Sequence, residues 1–383
     1  MYQNYDLFHE QILQKYDEMA VEVIPNLTLT ELDKLIEILA VVKRRNKTVL
    51  QEIAANISRQ KDCFDIKSCS QLLHNLKKLN YPNTNILMKI SEDLSAFIPS
   101  TMDSSLIKSI LIPLNFLNWR NSKLLNVISF WFERNYDISS SDDLISFIIT
   151  LGNVNYKPKN FKRLVDIVLP NISKVDNPTI WLDFVWSLVL LGIAKPHHIE
   201  SVLNDNFIKS LPENKMCAKY KNEDKLQTIY FESLRNVESI DKFLDKTNQS
   251  LIYFKFENKR NSLKLDVLNT ISMFAYVPKF FFPLIKTQLG FKYDGEIAIN
   301  EDGLVIPIMS TEKNKKKVAI LICDFSFYTV DERHLLGINS YIVRTLSKYG
   351  YKVLIIPYFE YNQNRTTSKK IEYIRRKLKY LVK

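Results

Sequence analysis

The chain is 383 residues long with 46% apolar residues, 7 glycines and 13 prolines, a composition that excludes disordered and fibrous classes and leaves room for two or three globular domains. Its formal net charge of +11 points to a polyanionic partner, and the excess is uneven: residues 271–383 hold 19 Lys and Arg against 10 Asp and Glu, leaving 34 against 32 in residues 1–270. Cys63, Cys69, Cys217 and Cys323 form no CxxC pair, which argues against a disulfide framework or a structural zinc, and the longest apolar run, residues 181–194, contains Asp183 and is shorter than the roughly 18 residues of a membrane span.

The first residues are acidic, with Asp6, Glu10, Asp17, Glu18 and Glu22, which suits neither a secretory signal nor an Arg-rich transit peptide. An imported protein would be expected to carry its leader outside this sequence. Self-similarity follows at once. Leu29, Leu32, Leu35, Ile36, Leu39, Leu50, Ile53 and Ile57 recur 37 residues later as Ile66, Cys69, Leu72, Leu73, Leu76, Leu87, Ile90 and Leu94. Asn80-Tyr81 returns as Asn118-Trp119 and again as Asn155-Tyr156. Each copy of 37 to 38 residues holds two stretches with apolar residues at i, i+3, i+4 and i+7, so each is a helix pair, and stacked pairs form an α-helical repeat solenoid sharing one core. The Asn-aromatic step is expected to be a turn residue followed by a core plug, in preference to a base-stacking rim.

Residues 181–207 complete the helical series. The run Val185-Trp186-Ser187-Leu188, followed by Leu191, Pro196 and Val202-Leu203, resembles the leucine-rich helical module of FAST kinase-domain proteins. The segment 211–290 is more polar, with charges clustered over 215–225, and reads as a linker and further helices. Pro278 and Pro283 mark where regular helix stops. Beyond Gly290 short β-rich runs (296–299, 304–309, 318–323 and 352–356) alternate with helix-forming stretches at 335–349 and 369–382, the pattern of a small α/β domain. The expected organisation is therefore repeats over 1–210, a linker and helical segment over 211–290, and an α/β domain over 291–383.

Within that domain, Val318-Ala319-Ile320-Leu321-Ile322-Cys323-Asp324, Leu335-Leu336-Gly337, Gly350-Tyr351, Val353-Leu354-Ile355-Ile356-Pro357 and a basic helix with Tyr373 and Leu378 follow one another in the order of a RAP domain. The resemblance covers residues 316–378. It implies a restriction-endonuclease-like fold, a role in organellar RNA metabolism, a mitochondrial matrix location and single-stranded RNA as ligand. Protein partners on the helical repeats are compatible with it, and membrane insertion is not expected. The related nuclease chemistry would need Mg²⁺ held by strand carboxylates and assisted by a lysine. Asp324 and Glu360 are the candidate acids, but Ser326 stands where the lysine is required and Cys323 where a second acid would precede. Asp324-Phe325-Ser326 superficially matches the Mg²⁺-binding step of kinases, yet no Gly-rich loop, strand lysine or His-Arg-Asp loop accompanies it. His9, His74, His197, His198 and His334 show no metal-ligand spacing. The expected function is RNA binding in post-transcriptional regulation, with metal-dependent endoribonuclease and protein-interaction scaffold as alternatives, and no resident cofactor outside the nuclease alternative.

The basic residues gather at Lys313, Lys315, Lys316 and Lys317 and in the last helix, where Lys369, Arg376 and Lys383 share a seven-residue spacing opposite Ile371, Ile374, Leu378 and Leu381. Such a face can neutralise phosphates. The candidate RNA-binding set is Arg333, Arg344, Tyr361, Arg365, Lys369, Lys370, Arg375, Arg376 and Lys377, with Tyr361 expected to be an exposed stacking ring.

Overall fold

The computed structural model describes residues 2–212, 222–234, 244–245, 262–287, 292–330 and 333–382. The charge cluster expected from residue 215 lies mostly outside these, as do Cys217 and Lys383. Contacts divide the chain into two compact units, Met1–Val175 with Thr329–His334, and Asp176–Tyr328 with Leu335–Lys383.

The first unit contains α1 (Tyr2–Val23), α2 (Leu29–Val41), α3 (Lys47–Arg59), α4 (Ile66–Leu79), α5 (Thr84–Phe97), α6 (Ser104–Phe116), α7 (Ser122–Arg134), α8 (Ser141–Asn153) and α9 (Phe161–Val168). Helices α2, α4, α6 and α8 pack in one row, and α1, α3, α5, α7 and α9 in a second, the two layers of an α-solenoid. The recurring apolar residues line the shared core; only Leu35 and Ile66 among them are half-buried.

What sets the period is the chemistry of the helix ends. Lys43, Asn80, Asn118, Asn155 and Gly192 all have positive φ, between 46° and 72°, and they stand 37, 38, 37 and 37 residues apart. After each, the next amide reaches back to the last helical turn: Tyr81 N to Leu76 O, Trp119 N to Leu114 O and Tyr156 N to Leu151 O, each at 3.0 Å, with Arg44 to Leu39 and Ile193 to Leu188 at 2.9 Å. This is the left-handed helix stop, in which asparagine substitutes for glycine and otherwise orphaned carbonyls are satisfied. Thr28, Asp65, Asp103, Ser140 and Asn177 cap the first helix of each pair with the same spacing, and each supplies a side-chain acceptor to orphan amides. The Asn-aromatic pairs are thus turns. Trp119 is buried with Nε1 donating to Ser91 Oγ at 2.8 Å, and the Arg120 guanidinium covers the Tyr156 ring.

One carboxyl in this unit is poorly placed. Burial in α2, with Glu37 and Asp65 nearby, pushes Asp33 up to about 6, and its Oδ1 has no hydrogen-bond partner among the described residues. The folded state therefore holds this proton more tightly than the unfolded chain, so stability is lost as pH rises from about 4 to 6. Asp33→Asn should raise stability at pH 7 by about 1 kcal/mol, after discounting for solvent screening, and change little at pH 3.5. Urea midpoints at the two pH values check this, and an equal effect at both would contradict it.

The second unit contains α10 (Pro178–Leu191), α11 (Pro196–Glu200), α12 (Asp205–Ser210), α13 (Asn222–Ser233), β1 (Leu244–Asp245), α14 (Ser262–Ser272), β2 (Phe281–Thr287), β3 (Lys292–Ile299), β4 (Val305–Ile306), β5 (Lys316–Cys323), α15 (Gly337–Lys348), β6 (Lys352–Pro357) and α16 (Thr367–Tyr380). Helices α10 to α12, expected with the repeats, pack in this unit. Residues 181, 182 and 184–191 of α10 are all buried, with α13 and α15 packed against the helix, and its one charge, Asp183, is ion-paired by Lys225 of α13.

The sheet order is β1-β2-β3-β5-β6 with β4 on β3; β5 and β6 are parallel and the other pairs antiparallel. Alternation divides β5 cleanly. Val318, Ile320 and Ile322 join a core with residues of α14 and α16, and Ala319, Leu321 and Cys323 join another with residues of α15, as a strand buried on both faces requires. The sheet starts at Phe281, well before the expected residue 291. Pro283 had marked a helix stop, yet it sits inside β2 opposite Gly295.

Candidate nucleic-acid interface

Strands β5 and β6 run side by side and end at Cys323 and Pro357, so the segments that follow share one edge of the sheet, where open α/β sheets hold ligands. After β5, Asp324 accepts from Ser326 N at 2.9 Å and Ser326 Oγ at 2.6 Å, closing a short turn that presents Phe325. After β6, Tyr358 N donates to Cys323 O at 2.9 Å, and the amides of Glu360 and Tyr361 both return to Pro357 O at 3.1 Å. Between these segments and the start of α14 lies a cleft of about 630 Å³.

That chain reversal corrects the expectation for Tyr361. Strand alternation stops at Pro357, so Tyr361 turns inward. It is 4% exposed, shares a 3.0 Å hydrogen bond with Thr270 Oγ1 and packs edge-on against Tyr373. The rings that face solvent are Phe325 (76% exposed), Tyr358 (39%) and Phe359 (38%).

The candidate cations separate into two groups. Arg344, though exposed, donates to the carbonyls of Val189 and Leu190 at 3.1–3.2 Å, capping the C-terminal end of α10, where positive charge is favoured, so the guanidinium expected to contact phosphate is already engaged as a clamp. Lys370 donates to Asp266 Oδ1 at 2.9 Å, and Lys377 pairs with Glu360 at 2.6 Å and donates to Ile355 O at 3.1 Å. Both lie on the side of α16 that turns toward its buried Tyr373, Ile374 and Leu378, so both are engaged by the sheet and α14. Arg375 is exposed with its guanidinium over the Phe274 ring at 5.3 Å. Arg365, Lys369, Arg376 and Lys379 are exposed and make no ion pair with any described residue. Arg333, exposed with φ of 54°, belongs to the 329–334 segment of the first unit and is not grouped with them. Lys316 and Lys317 open β5, roughly 25 Å along the strand from Asp324 at 3.3 Å per residue, and Lys313 and Lys315 precede them.

The acids expected for a metal are committed elsewhere. Glu360 takes the Lys377 ammonium and the Tyr373 hydroxyl at 3.0 Å. Unanticipated from the sequence, Asp294 of β3 is buried beside this edge. Its Oδ1 accepts from Lys264 Nζ of α14 at 2.8 Å and its Oδ2 from Ile322 N at 2.6 Å. Burial pushes its carboxyl up, and the lysine ammonium pulls it back. The signal that could have found it is a pair of carboxylates two residues apart, Asp294 and Glu296, in a strand that ends in the apolar run 297–299, since a buried acid requires a partner. Among the described residues no group of three or more His, Cys, Asp or Glu is placed to hold a metal ion. With Asp294 neutralised by Lys264 and Glu360 by Lys377, the donor set does not fit Mg²⁺. Burial pushes the Cys323 thiol up to about 12, which makes it a poor nucleophile.

Among known proteins, the family model described as FAST kinase-like protein, subdomain 1, matches residues 144–212, from α8 to the end of α12, and the RAP domain model matches residues 320–377, from β5 into α16. FAST kinase domain-containing protein 4 of Rattus norvegicus is 20% identical over 391 residues, which covers 97% of this chain and 62% of that protein. FAST kinase domain-containing protein 3, mitochondrial, of Homo sapiens is 19% identical over 392 residues, covering 97% and 57%. Its Bos taurus counterpart is 31% identical over 99 residues, 26% of this chain and 15% of that protein. The chain spans about three-fifths of the length of the relatives it matches from end to end. No helix among the described residues is long and apolar enough to cross a membrane.

Proposed function

Because the chain carries a FAST kinase-like subdomain and a RAP domain and is related over almost its whole length to FAST kinase domain-containing proteins, we propose that it binds single-stranded RNA and acts in the stability or processing of transcripts in the mitochondrial matrix. The observation that carries this reading is the outward side of α16. Lys369, Arg376 and Lys379, with Arg365 just before the helix, point to solvent without an ion pair among the described residues. Cations held in no internal pair can exchange counterions for phosphates. The named location of the mitochondrial relative supports the compartment. The helical repeats would serve as a surface for protein partners. The nuclease alternative is the weaker reading: Asp294, Asp324 and Lys264 lie near one another at this edge, but Glu360 is ion-paired and Asp324 closes its own turn.

The test is titration of a labelled, unstructured RNA with the full chain between about 50 and 200 mM salt. Binding should weaken linearly on logarithmic axes, by about 0.7 for each phosphate contacted. Absent or salt-insensitive binding would remove the reading.

A further inference from the structure

The cleft at the ends of β5 and β6 differs in character from the basic helix beside it. Its exposed rings are Phe325, Tyr358 and Phe359, and Phe325 is more exposed than either of the other two. Tyr358 and Phe359 meet edge to face at 5.2 Å and both pack on Tyr328, so two of the three are braced and present fixed faces. The remaining wall carries Ser262, Leu263, the amides of Asn362, Gln363 and Asn364 and the Asp324 carboxylate, and no Lys or Arg is among the described residues that line it. Among these lining residues a phosphate would meet a carboxylate and no cation. A nucleobase meets what it needs, which is aromatic faces to stack on and amide groups for its polar edge.

Charge around the cleft supports the same occupant. Arg365 follows directly on Asn364, and Lys369 lies one helical turn further on, both exposed. The sequence of surfaces is therefore aromatic, amide, cationic, the order in which a single strand presents an unstacked base, its edge and the adjoining phosphates. An apolar protein segment would leave the amide wall and Asp324 facing non-polar groups, at the cost of desolvating them.

We propose that this cleft is a nucleobase pocket, in which an unstacked base of single-stranded RNA lies against Phe325 and Tyr358 while the amides of residues 362–364 read its edge. The inference rests on the RNA-binding reading and adds to it a base-dependent component that phosphate neutralisation alone cannot supply.

The experiment compares the full chain binding to oligoadenylate and to an abasic ribose-phosphate oligomer of equal length and charge. Wild type should prefer the base-bearing strand about tenfold, the order of one base-aromatic stack. Phe325→Ala should abolish most of that preference while leaving abasic binding unchanged, and Phe325→Trp should keep it. Because Phe325 is 76% exposed, neither substitution disturbs the core. Equal affinity of wild type for the two oligomers, or an unchanged preference in Phe325→Ala, overturns the pocket and leaves the ring as a protein contact. Failure of wild type to bind either oligomer instead overturns the RNA-binding reading itself.

Discussion

Lys264→Met should destabilise the second unit by about 3–5 kcal/mol, the range for removing one partner of a buried ion pair. The pairing of β3 with β5 runs from Ile299–Lys316 to Gly295–Ile320 and ends there. Beyond that point the Ile322 amide is taken by Asp294 Oδ2, while Lys264 reaches down from α14 to the other oxygen. One carboxylate thus extends the sheet and ties a helix to it. Methionine keeps the length and apolar stem of the lysine but leaves the Asp294 charge in the core with no counter-ion. Adding Asp294→Asn to Lys264→Met should recover much of the loss, because the amide oxygen can still accept from Ile322 N and no charge remains. Urea unfolding followed by circular dichroism measures both. A single variant within about 1 kcal/mol of wild type would mean the carboxylate is not relying on the lysine.

The second large effect is on RNA. Lys369, Arg376 and Lys379 changed together to alanine should weaken single-strand binding about 100-fold at 0.1 M salt and make the logarithmic salt slope shallower by about 2, the loss of three phosphate contacts at roughly 0.7 each. The contrasting double variant, Lys370→Ala with Lys377→Ala, removes nearly as much charge. It should leave the slope almost intact and lower stability instead, because those ammonium groups are spent on Asp266 and Glu360. If the two variants weaken RNA binding equally, net charge alone is responsible and the side of the helix is irrelevant.

That contrast marks how far the sequence could be read. The solenoid was legible because its determinants are local: caps at 28, 65, 103, 140 and 177 and left-handed stops at 80, 118 and 155 act within a few residues of themselves. The β5-α15-β6-α16 order was legible because each element is a single apolar run with one period. The sorting of cations was not, because the partner of Lys370 is 104 residues away at Asp266 and that of Arg344 more than 150 away at Leu190. Tyr361 was misread because alternation was carried past Pro357, where the backbone leaves the strand and reverses on that carbonyl. Strand β2 was hidden by Pro283, a residue that breaks helices and central strands alike.

The all-round burial of α10 fixes an order of events in the life of the chain. Its early cover, from α11 and then α13, is made within about 35 residues of it, but α15 and the Arg344 clamp arrive only some 150 residues later. At roughly 5–20 residues per second that is a wait of about 8–30 s. Throughout it, a helix carrying two tryptophans and a run of leucines and valines has only part of its final shelter. Closure of the second unit is consequently a late, long-range event, the kind that slows folding, and during synthesis α10 is the segment on which a chaperone has most to hold.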